Sequence, residues 1–259
     1  MKKGSLTLVG TGIKFLAHLT LEAKANIEKA EKLLYLVNEP AIEQWLCSTN
    51  KNAQSLNFAY IENKSRALIY QAITNYILDT LNQGLNICVV FEGHPSVFAT
   101  PGLEAIKIAK AQGYIAHILP GISAEDYLFA DLEIDPSTCG CHSYEATDFL
   151  IHNRAFDGYS HLILWQVSVI GVLENKTYHE HKKGTVLLVD HLCKVYPKNY
   201  IVFVYEGSQY PHISSKITKV TLEELSNSII SRISTIYIPP LHTASADKSV
   251  LAKLSFTRN

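Results

Sequence analysis

A short apolar run that breaks into a glycine-proline loop constrains this chain more than any other feature. Asn86-Ile87-Cys88-Val89-Val90-Phe91 has the length and character of a buried strand. Glu92-Gly93-His94-Pro95-Ser96-Val97-Phe98-Ala99-Thr100-Pro101-Gly102 follows at once, and a helical pattern begins at Leu103. In an open α/β sheet, ligands sit in the crevice beyond the carboxyl ends of the strands. A second loop of the same kind, Pro120-Gly121-Ile122-Ser123-Ala124-Glu125, comes after Ala116-His117-Ile118-Leu119. Either loop alone is ordinary turn punctuation. Two of them, one helix apart, point to a small-molecule pocket. A third glycine-bearing turn, Leu8-Val9-Gly10-Thr11-Gly12, lies near the N-terminus.

The intervening patterns are those of alternating strands and helices. Ser5 to Val9 and Leu33 to Val37 read as strands, and Thr20 as the N-cap of a helix over Leu21 to Glu31. Ile42 to Leu46 suggests a short helix. From Ser65 to Asn82, Leu68, Ile69, Ala72, Ile73, Tyr76, Ile77 and Leu81 recur at helical spacing, with Gly84 as the stop. The strand ending at Phe91, a helix over Leu103 to Gln112 and the strand at Ala116 to Leu119 complete the series. Such alternation implies a largely parallel sheet covered by helices. After Glu125 the character changes. A short helix through Leu128 and Ala130 precedes four β-like segments, Gly140 to Tyr144, His161 to Gln166, Tyr200 to Tyr205 and Thr235 to Ile238. Helical stretches are expected near Gly184 to Val195 and Leu222 to Leu225. The expected organisation is two α/β domains, 1–120 and 121–259.

Composition removes several function classes. A chain of 259 residues with 47 % hydrophobic residues can bury a substantial core. Its formal net charge of −1 does not suit a nucleic-acid binder that relies on a basic surface. The start lacks the apolar core and cleavage site of a signal peptide, and no apolar run is long enough to span a bilayer. Five scattered cysteines do not suggest a disulfide framework, and Cys139-Gly140-Cys141 is too closely spaced for a metal knuckle. His179-Glu180-His181-Lys182-Lys183 is mixed in sign, like a solvated loop. The expectation is a cytoplasmic protein with no metal site and no nucleic-acid or membrane partner.

Arg66 and Tyr70 fall i, i+4 on the long helical stretch, so they share one face, and Tyr60 lies just upstream. A guanidinium near a phenol favours the phenolate, which would serve as a general base. Spacing alone favours an amphipathic core tyrosine beside a solvated surface cation.

The three loops in this order resemble the tetrapyrrole-methylase-like superfamily, whose pattern is strand–G-x-G, then G-[DH]-P-x-V-F, then P-G-[IV]-S-[SA]. The resemblance implies a two-domain class III methyltransferase, with a mostly parallel N-terminal sheet and a mixed C-terminal sheet. S-adenosylmethionine would be held between the domains, and S-adenosylhomocysteine would be the coproduct. Within that superfamily the chain resembles the borosin peptide backbone α-N-methyltransferases over nearly its whole length. The resemblance rests on Arg-x-x-x-Tyr with an upstream Tyr, on Gly93-His94-Pro95 in place of the usual G-D-P, and on Ala130-Asp131-Leu132-Glu133-Ile134-Asp135-Pro136. It also rests on His142-Ser143-Tyr144-Glu145-Ala146, Leu164-Trp165-Gln166 and Ile233-Ser234-Thr235-Ile236-Tyr237-Ile238-Pro239-Pro240.

The borosin resemblance implies Tyr70 as base, with Arg66 and Tyr60 as donors on the carbonyl side. Similar enzymes commonly carry Tyr immediately before G-H-P, where this chain has Glu92. Glu92 then either accepts a proton close to the methyl, orients Tyr70 or Arg66, or is a strand-end acid bound to backbone N–H groups. For the cofactor, the resemblance carries over Glu92, His94, Val97 and Thr100 from the first loop and Ser123 and Ala124 from the second. From the C-terminal half it carries over Gln166, Tyr205, Ser234 and Thr235. Gly10 and Gly12 would let the chain turn close to cofactor or substrate, and Ile13-Lys14-Phe15 offers no third glycine for a dinucleotide fingerprint. The alternatives are C-methylation of a corrin or porphyrin ring, and a catalytically silent peptide-binding homologue. In fused borosins the core peptide follows a clasp-like C-terminal extension. The short tail after Pro240 suggests instead a separate precursor peptide in trans, bound by a homodimer with two peptides.

Overall fold

The strand that ends in the Gly-His-Pro loop is the central strand of a parallel sheet. The computed structural model describes residues 4–61, 64–175 and 182–254. Its first sheet has the order β3-β2-β4-β1-β5, with β1 at Ser5–Gly10, β2 at Lys32–Leu36, β3 at Ala53–Ser55, β4 at Asn86–Phe91 and β5 at Ile115–Ile118. Every pairing in it is parallel. Alternate side chains feed opposite cores, as the period of two requires. Ile87, Val89 and Phe91 join Leu6, Leu8 and Leu34 on one face, and Cys88 and Val90 join Val9, Leu33 and Tyr35 on the other. Burial on both faces explains why these strands read as unbroken apolar runs.

Helices close each face. Ile69, Ile73, Ile77 and Leu81 of α3 (Arg66–Leu81) and Ala105, Ile106 and Ala109 of α4 (Thr100–Ala111) cover the first. Ala23 and Ile27 of α1 (Leu21–Lys29) and Ile42 and Leu46 of α2 (Pro40–Thr49) cover the second. The helix starts follow from local chemistry. Thr20 and Ser65 accept hydrogen bonds from Ala23 and Leu68 N–H groups, satisfying donors that the first turn leaves without partners. At α5 (Ala124–Asp131), Ser123 and Asp126 form a reciprocal capping box.

The second sheet has the order β6-β7-β10-β8-β9, built from Cys141–Glu145, His161–Trp165, Thr235–Ile238, Ile201–Glu206 and Lys216–Thr221. It is mixed, since β6 and β7 are parallel while β10 runs antiparallel to both β7 and β8. Leu162, Leu164, Val202, Val204, Ile236 and Ile238 pack with Phe149 of α6 (Ala146–Ile151) and with Leu188 and Leu192 of α7 (Lys182–Leu192). A last short helix, α8, spans Lys248–Lys253.

The chain divides into two compact units, but not near residue 120. Among the described residues, the first comprises 4–61, 64–134, 172–175 and 207–216, and the second 135–171, 182–206 and 217–254. The first runs on to Ile134 because α5 belongs to it. Tyr127 and Leu128 are buried, and the Tyr127 hydroxyl accepts from Ser215 at 3.0 Å within the same unit. The two later segments return to the first unit, which the reading of contiguous domains did not anticipate. A second correction concerns Leu222 to Leu225. No α-helix forms there, only a 3₁₀ turn at Leu225–Asn227, because Glu224 turns back to accept from the Thr221 N–H at 3.0 Å and its hydroxyl at 2.7 Å.

The dependence of the first core on α3 is testable. Ile73 is fully buried, and Ile73→Ala should lower the unfolding free energy by about 2–5 kcal/mol through lost transfer energy and the cavity left behind. Urea denaturation followed by circular dichroism checks this; a change within error would mean that the α3 contact is not formed in solution.

Candidate active site

Two strands at the centre of the first sheet send their connections in opposite directions. From β1 the chain passes through α1 to β2 on one side; from β4 it passes through α4 to β5 on the other. The point where these connections diverge is the topological switch point, where open α/β sheets bind ligands. The two loops that start there are the Gly10-Thr11-Gly12 turn and the Gly-His-Pro loop. They are joined by their backbones. Gly12 N–H donates to Gly93 O at 3.2 Å, Gly93 N–H donates to Gly12 O at 3.0 Å, and Thr11 N–H donates to Phe91 O at 2.9 Å. Gly10 permits this approach, because a Cβ there would lie 2.0 Å from Gly93 O. Gly12 is required twice over, by a φ of +69° and by His18, whose Cβ would be 2.2 Å from an added methyl. Gly121, in the loop after β5, reaches the same cluster near Gly93 O and Pro95.

Within the Gly-His-Pro loop, His94 Nδ1 accepts the Ser96 N–H at 3.2 Å and lies 2.9 Å from its hydroxyl. In the neutral ring the proton then sits on Nε2, leaving that nitrogen as a donor. Val97 donates its N–H to His94 O and keeps its side chain exposed, as does Phe98 with a φ of +54°. Thr100 is exposed at the first position of α4. Ser123 is buried, and its hydroxyl is engaged with Asp126 in the capping box. Ala124, next to it, opens α5. His18, which sequence reading passed over, accepts from the Ile13 and Lys14 N–H groups through Nδ1 and so shapes the turn after β1. Burial, then Lys14, hold its pKa below the usual histidine value, with Asp131 acting the other way.

Tyr60, Arg66 and Tyr70 are brought within electrostatic reach of one another. Arg66 and Tyr70 lie one turn apart on α3, both half-buried. Tyr60 closes a 3₁₀ turn at Asn57–Ala59. Burial first, and Tyr70 second, push the Tyr60 phenol up to about 12, while Arg66 pulls it down. Tyr60 therefore keeps its proton at neutral pH and has an O–H to donate. The backbone leading into α3 is held by the returning segment, with Arg66 N–H donating to Leu173 O at 3.0 Å and Asn175 N–H to Lys64 O at 2.9 Å. Glu92 is engaged elsewhere. Its Oε2 accepts from the Asn38 N–H at 3.1 Å and the Asn38 amide at 3.4 Å, and its Oε1 accepts from Gln209 Nε2 at 2.7 Å. Of the three alternatives for Glu92, these partners favour the strand-end acid bound to neighbouring N–H groups.

In the second unit, Gln166, Tyr205, Ser234 and Thr235 gather along one end of the sheet. Antiparallel pairing sets the start of β10 beside the ends of β7 and β8, with Thr235 opposite Tyr205. Gln166 leaves β7 in the left-handed region, at φ +56°. Ser234 is buried; its hydroxyl donates to Glu206 Oε1 at 2.6 Å and accepts the Ser231 N–H at 2.8 Å. Glu206 also accepts from the Ser231 hydroxyl at 2.7 Å. It organises this corner and was invisible to motif reading. His179 and His181 lie outside the described residues. Among the described residues no group of three or more His, Cys, Asp or Glu side chains converges as a metal site, and no helix is long and apolar enough to cross a membrane.

Val97 and Phe98 expose their side chains on the Gly-His-Pro loop. The comparison with known sequences is decisive for family. A family model for tetrapyrrole (corrin/porphyrin) methylases matches residues 5–226. The chain belongs to this family. Other tetrapyrrole methylase folds among solved structures include the uroporphyrin-III C-methyltransferase of Thermus thermophilus, with a TM-score of 0.65 and 16 % identity over 99 % of this chain and 98 % of that one. The cobalt precorrin-4 methyltransferase follows at a TM-score of 0.62, 16 % identity, and 91 % and 94 % of the two chains. At such identity the likeness establishes the fold.

Curated relatives are more similar. The methyltransferase/ribosomally synthesized cyclic peptide omphalotin A precursor of Omphalotus olearius is 41 % identical over 258 residues, which is 98 % of this chain and 62 % of that protein. The type I borosin cyclic peptide precursor of Serendipita vermifera subsp. bescii is 39 % identical over 259 residues, 98 % of this chain and 63 % of the relative. This chain thus spans less than two thirds of each.

Two outcomes test this geometry. Gly10→Ala should cost about 1–3 kcal/mol of stability, the usual range for forcing a methyl into a filled site, measured by denaturant unfolding; an unaffected midpoint would mean that the two loops are not in contact. A difference absorbance titration of wild type against Tyr60→Phe should reveal a phenol ionising near pH 12, above the ordinary value of about 10. Because the folded-state value is raised, its stabilising effect is intact below the unfolded value and is lost as pH rises through the folded one. A difference step near pH 10 would show that Tyr60 is solvated.

Proposed function

We propose that this chain is an S-adenosylmethionine-dependent methyltransferase that methylates backbone amide nitrogens of a ribosomally made precursor peptide. The single observation that carries the reading is that Tyr60, Arg66 and Tyr70 lie within electrostatic reach of one another at the start of α3. Curated relatives whose names join methyltransferase to cyclic peptide precursor support the substrate class. Exposed apolar side chains and backbone groups at the switch point suit the cofactor. Val97 would line its adenine, and the loop amides around His94 and Ala124 would meet its polar edges.

The chemical problem is the amide nitrogen, a poor nucleophile because its lone pair is delocalised into the carbonyl. S-adenosylmethionine supplies an electrophilic methyl on sulfur. Tyr70 takes the amide proton as general base. Tyr60 and Arg66 donate to the carbonyl oxygen as negative charge builds on it. When bound, S-adenosylmethionine would supply the methyl to nitrogen and be converted to S-adenosylhomocysteine, while the amide proton would end on the Tyr70 oxygen. Holding nitrogen and methyl in line is the remaining contribution. Glu92, bound to Asn38 and Gln209, serves as an anchor of the loop in this scheme. A homodimer, the commonest symmetric assembly of soluble proteins, and a reducing cytoplasm suited to five free cysteines complete the proposal.

Tyr70→Phe should reduce methyl transfer by about 10²–10⁴-fold, the usual contribution of a general base, while leaving S-adenosylmethionine affinity close to wild type. The assay incubates protein, cofactor and a synthetic precursor peptide of the borosin kind, then locates methyl groups on backbone nitrogens by tandem mass spectrometry. Turnover by Tyr70→Phe at the wild-type rate would overturn the assignment. Methylation of a porphyrinogen but not of any peptide would replace the substrate class.

A further inference from the structure

The connection between β8 and β9 does more than join two strands. Residues 207–216 belong to the first unit, and this one segment is bonded to the loops that follow β1, β2 and β4 and to α5, the helix after the β5 loop. Gln209 O accepts the Phe15 N–H at 2.7 Å, after β1. Gln209 Nε2 donates to Glu92 Oε1 at 2.7 Å, at the end of β4. The Tyr210 hydroxyl donates to Glu39 Oε1 at 2.6 Å, where the chain leaves β2 for α2. Ser215 donates to the Tyr127 hydroxyl at 3.0 Å on α5. All four bonds lie on the carboxyl side of the parallel sheet, the side on which its ligand crevice opens.

We infer that 207–216 is a strap that sets the spacing of these loops, and that Gln209 is a positioning residue for the Gly-His-Pro loop, acting through Glu92. Three features carry this. Gln209 bridges two loops at once, one through its backbone and the other through its side chain. Its partner Glu92 directly precedes Gly93, whose N–H and carbonyl form the pairing with Gly12. The remaining Glu92 oxygen is tied to Asn38, after β2, so the Glu92 carboxylate links β2, β4 and the strap. Glu39 is likewise shared, because its Oε1 also accepts the Ala41 N–H at 3.2 Å as the cap of α2. Losing the strap bond would free one oxygen of Glu92 beside a loop whose backbone has little other side-chain support. A displacement of about 1 Å in such a loop is enough to degrade a site built on fixed geometry.

The consequence for catalysis rests on the proposed use of S-adenosylmethionine; the positioning itself does not. The test therefore has two arms. Gln209→Met keeps the chain length and the backbone bond to Phe15 but removes the Glu92 donor. In the ligand-free protein, hydrogen–deuterium exchange of the peptides covering 92–97 should rise several-fold, while exchange in β8 and β10 stays at wild-type levels. Calorimetry with S-adenosylmethionine should then give a Kd raised about tenfold, the size expected for loss of one hydrogen bond to a charged group, with the melting midpoint lowered by only a few degrees. Adding Gln209→Met to Glu92→Leu should raise exchange at 92–97 little further, since Glu92→Leu already removes the acceptor of this link. Unchanged exchange at 92–97 in Gln209→Met overturns the strap whatever the cofactor result. Wild-type protein that fails to bind S-adenosylmethionine overturns the proposed function, and the exchange arm still decides the strap.

Discussion

The mutual pair of hydrogen bonds between Gly12 and Gly93 is the contact on which the rest of the site depends. Each residue follows a central strand, and each supplies both the N–H and the carbonyl that the other needs. The close approach requires glycine at position 10, where a Cβ would meet Gly93 O, while positions 12 and 93 take φ values of +69° and +75° that favour glycine. Once the two turns are locked, Pro95 is set against Gly10 and the loop after β5 is drawn to the same place. The His94 turn, the exposed Val97 and Phe98, and the start of α4 all hang from that lock. A strand-end loop becomes a defined platform because Gly93 is held by its backbone to Gly12 and Glu92 by its carboxylate to Asn38 and Gln209.

The electrostatic character of the site divides along the same lines. Side chains at the loops are mostly occupied in holding structure: Ser123 with Asp126, His94 with Ser96, Glu92 with Asn38 and Gln209. The groups to which the proposed mechanism assigns proton transfer are on the entry to α3. There, desolvation raises the Tyr60 phenol against the pull of Arg66, and that guanidinium stands one turn from a second phenol. The separation makes physical sense, since a residue that must move a proton cannot also be committed to capping a helix.

Much of this was legible in the sequence, for definable reasons. The central strands were readable because burial on both faces leaves uninterrupted apolar runs, and α3 because Ile69, Ile73, Ile77 and Leu81 repeat at helical spacing. The loops were readable because glycine and proline there answer to backbone geometry. By contrast, β9 was missed because Lys216–Thr221 is an edge strand of largely exposed residues, with no apolar alternation to betray it. Leu222 and Leu225 imitated a helix because two buried leucines three residues apart fit one turn of helix as well as one turn of 3₁₀. Gln209, Asn38, His18 and Glu206 carried no signal at all. Each works through a partner distant in sequence, and a lone polar residue in a loop does not announce which carbonyl or carboxylate it will meet.

The interleaved course of the chain has a consequence for its biosynthesis. The first unit takes in residues 172–175 and 207–216, which are translated after much of the second. As the nascent chain emerges, the parallel sheet can collapse around its own two cores, but the loops at its carboxyl ends must wait for Gln209, Tyr210 and Ser215 before their hydrogen bonds can close. Completion of the N-terminal unit is therefore a late, long-range event with a correspondingly high loop-closure cost. Until then it presents a folded scaffold with an unfinished rim, a form with exposed binding surface that a chaperone would recognise and that partial synthesis would leave behind.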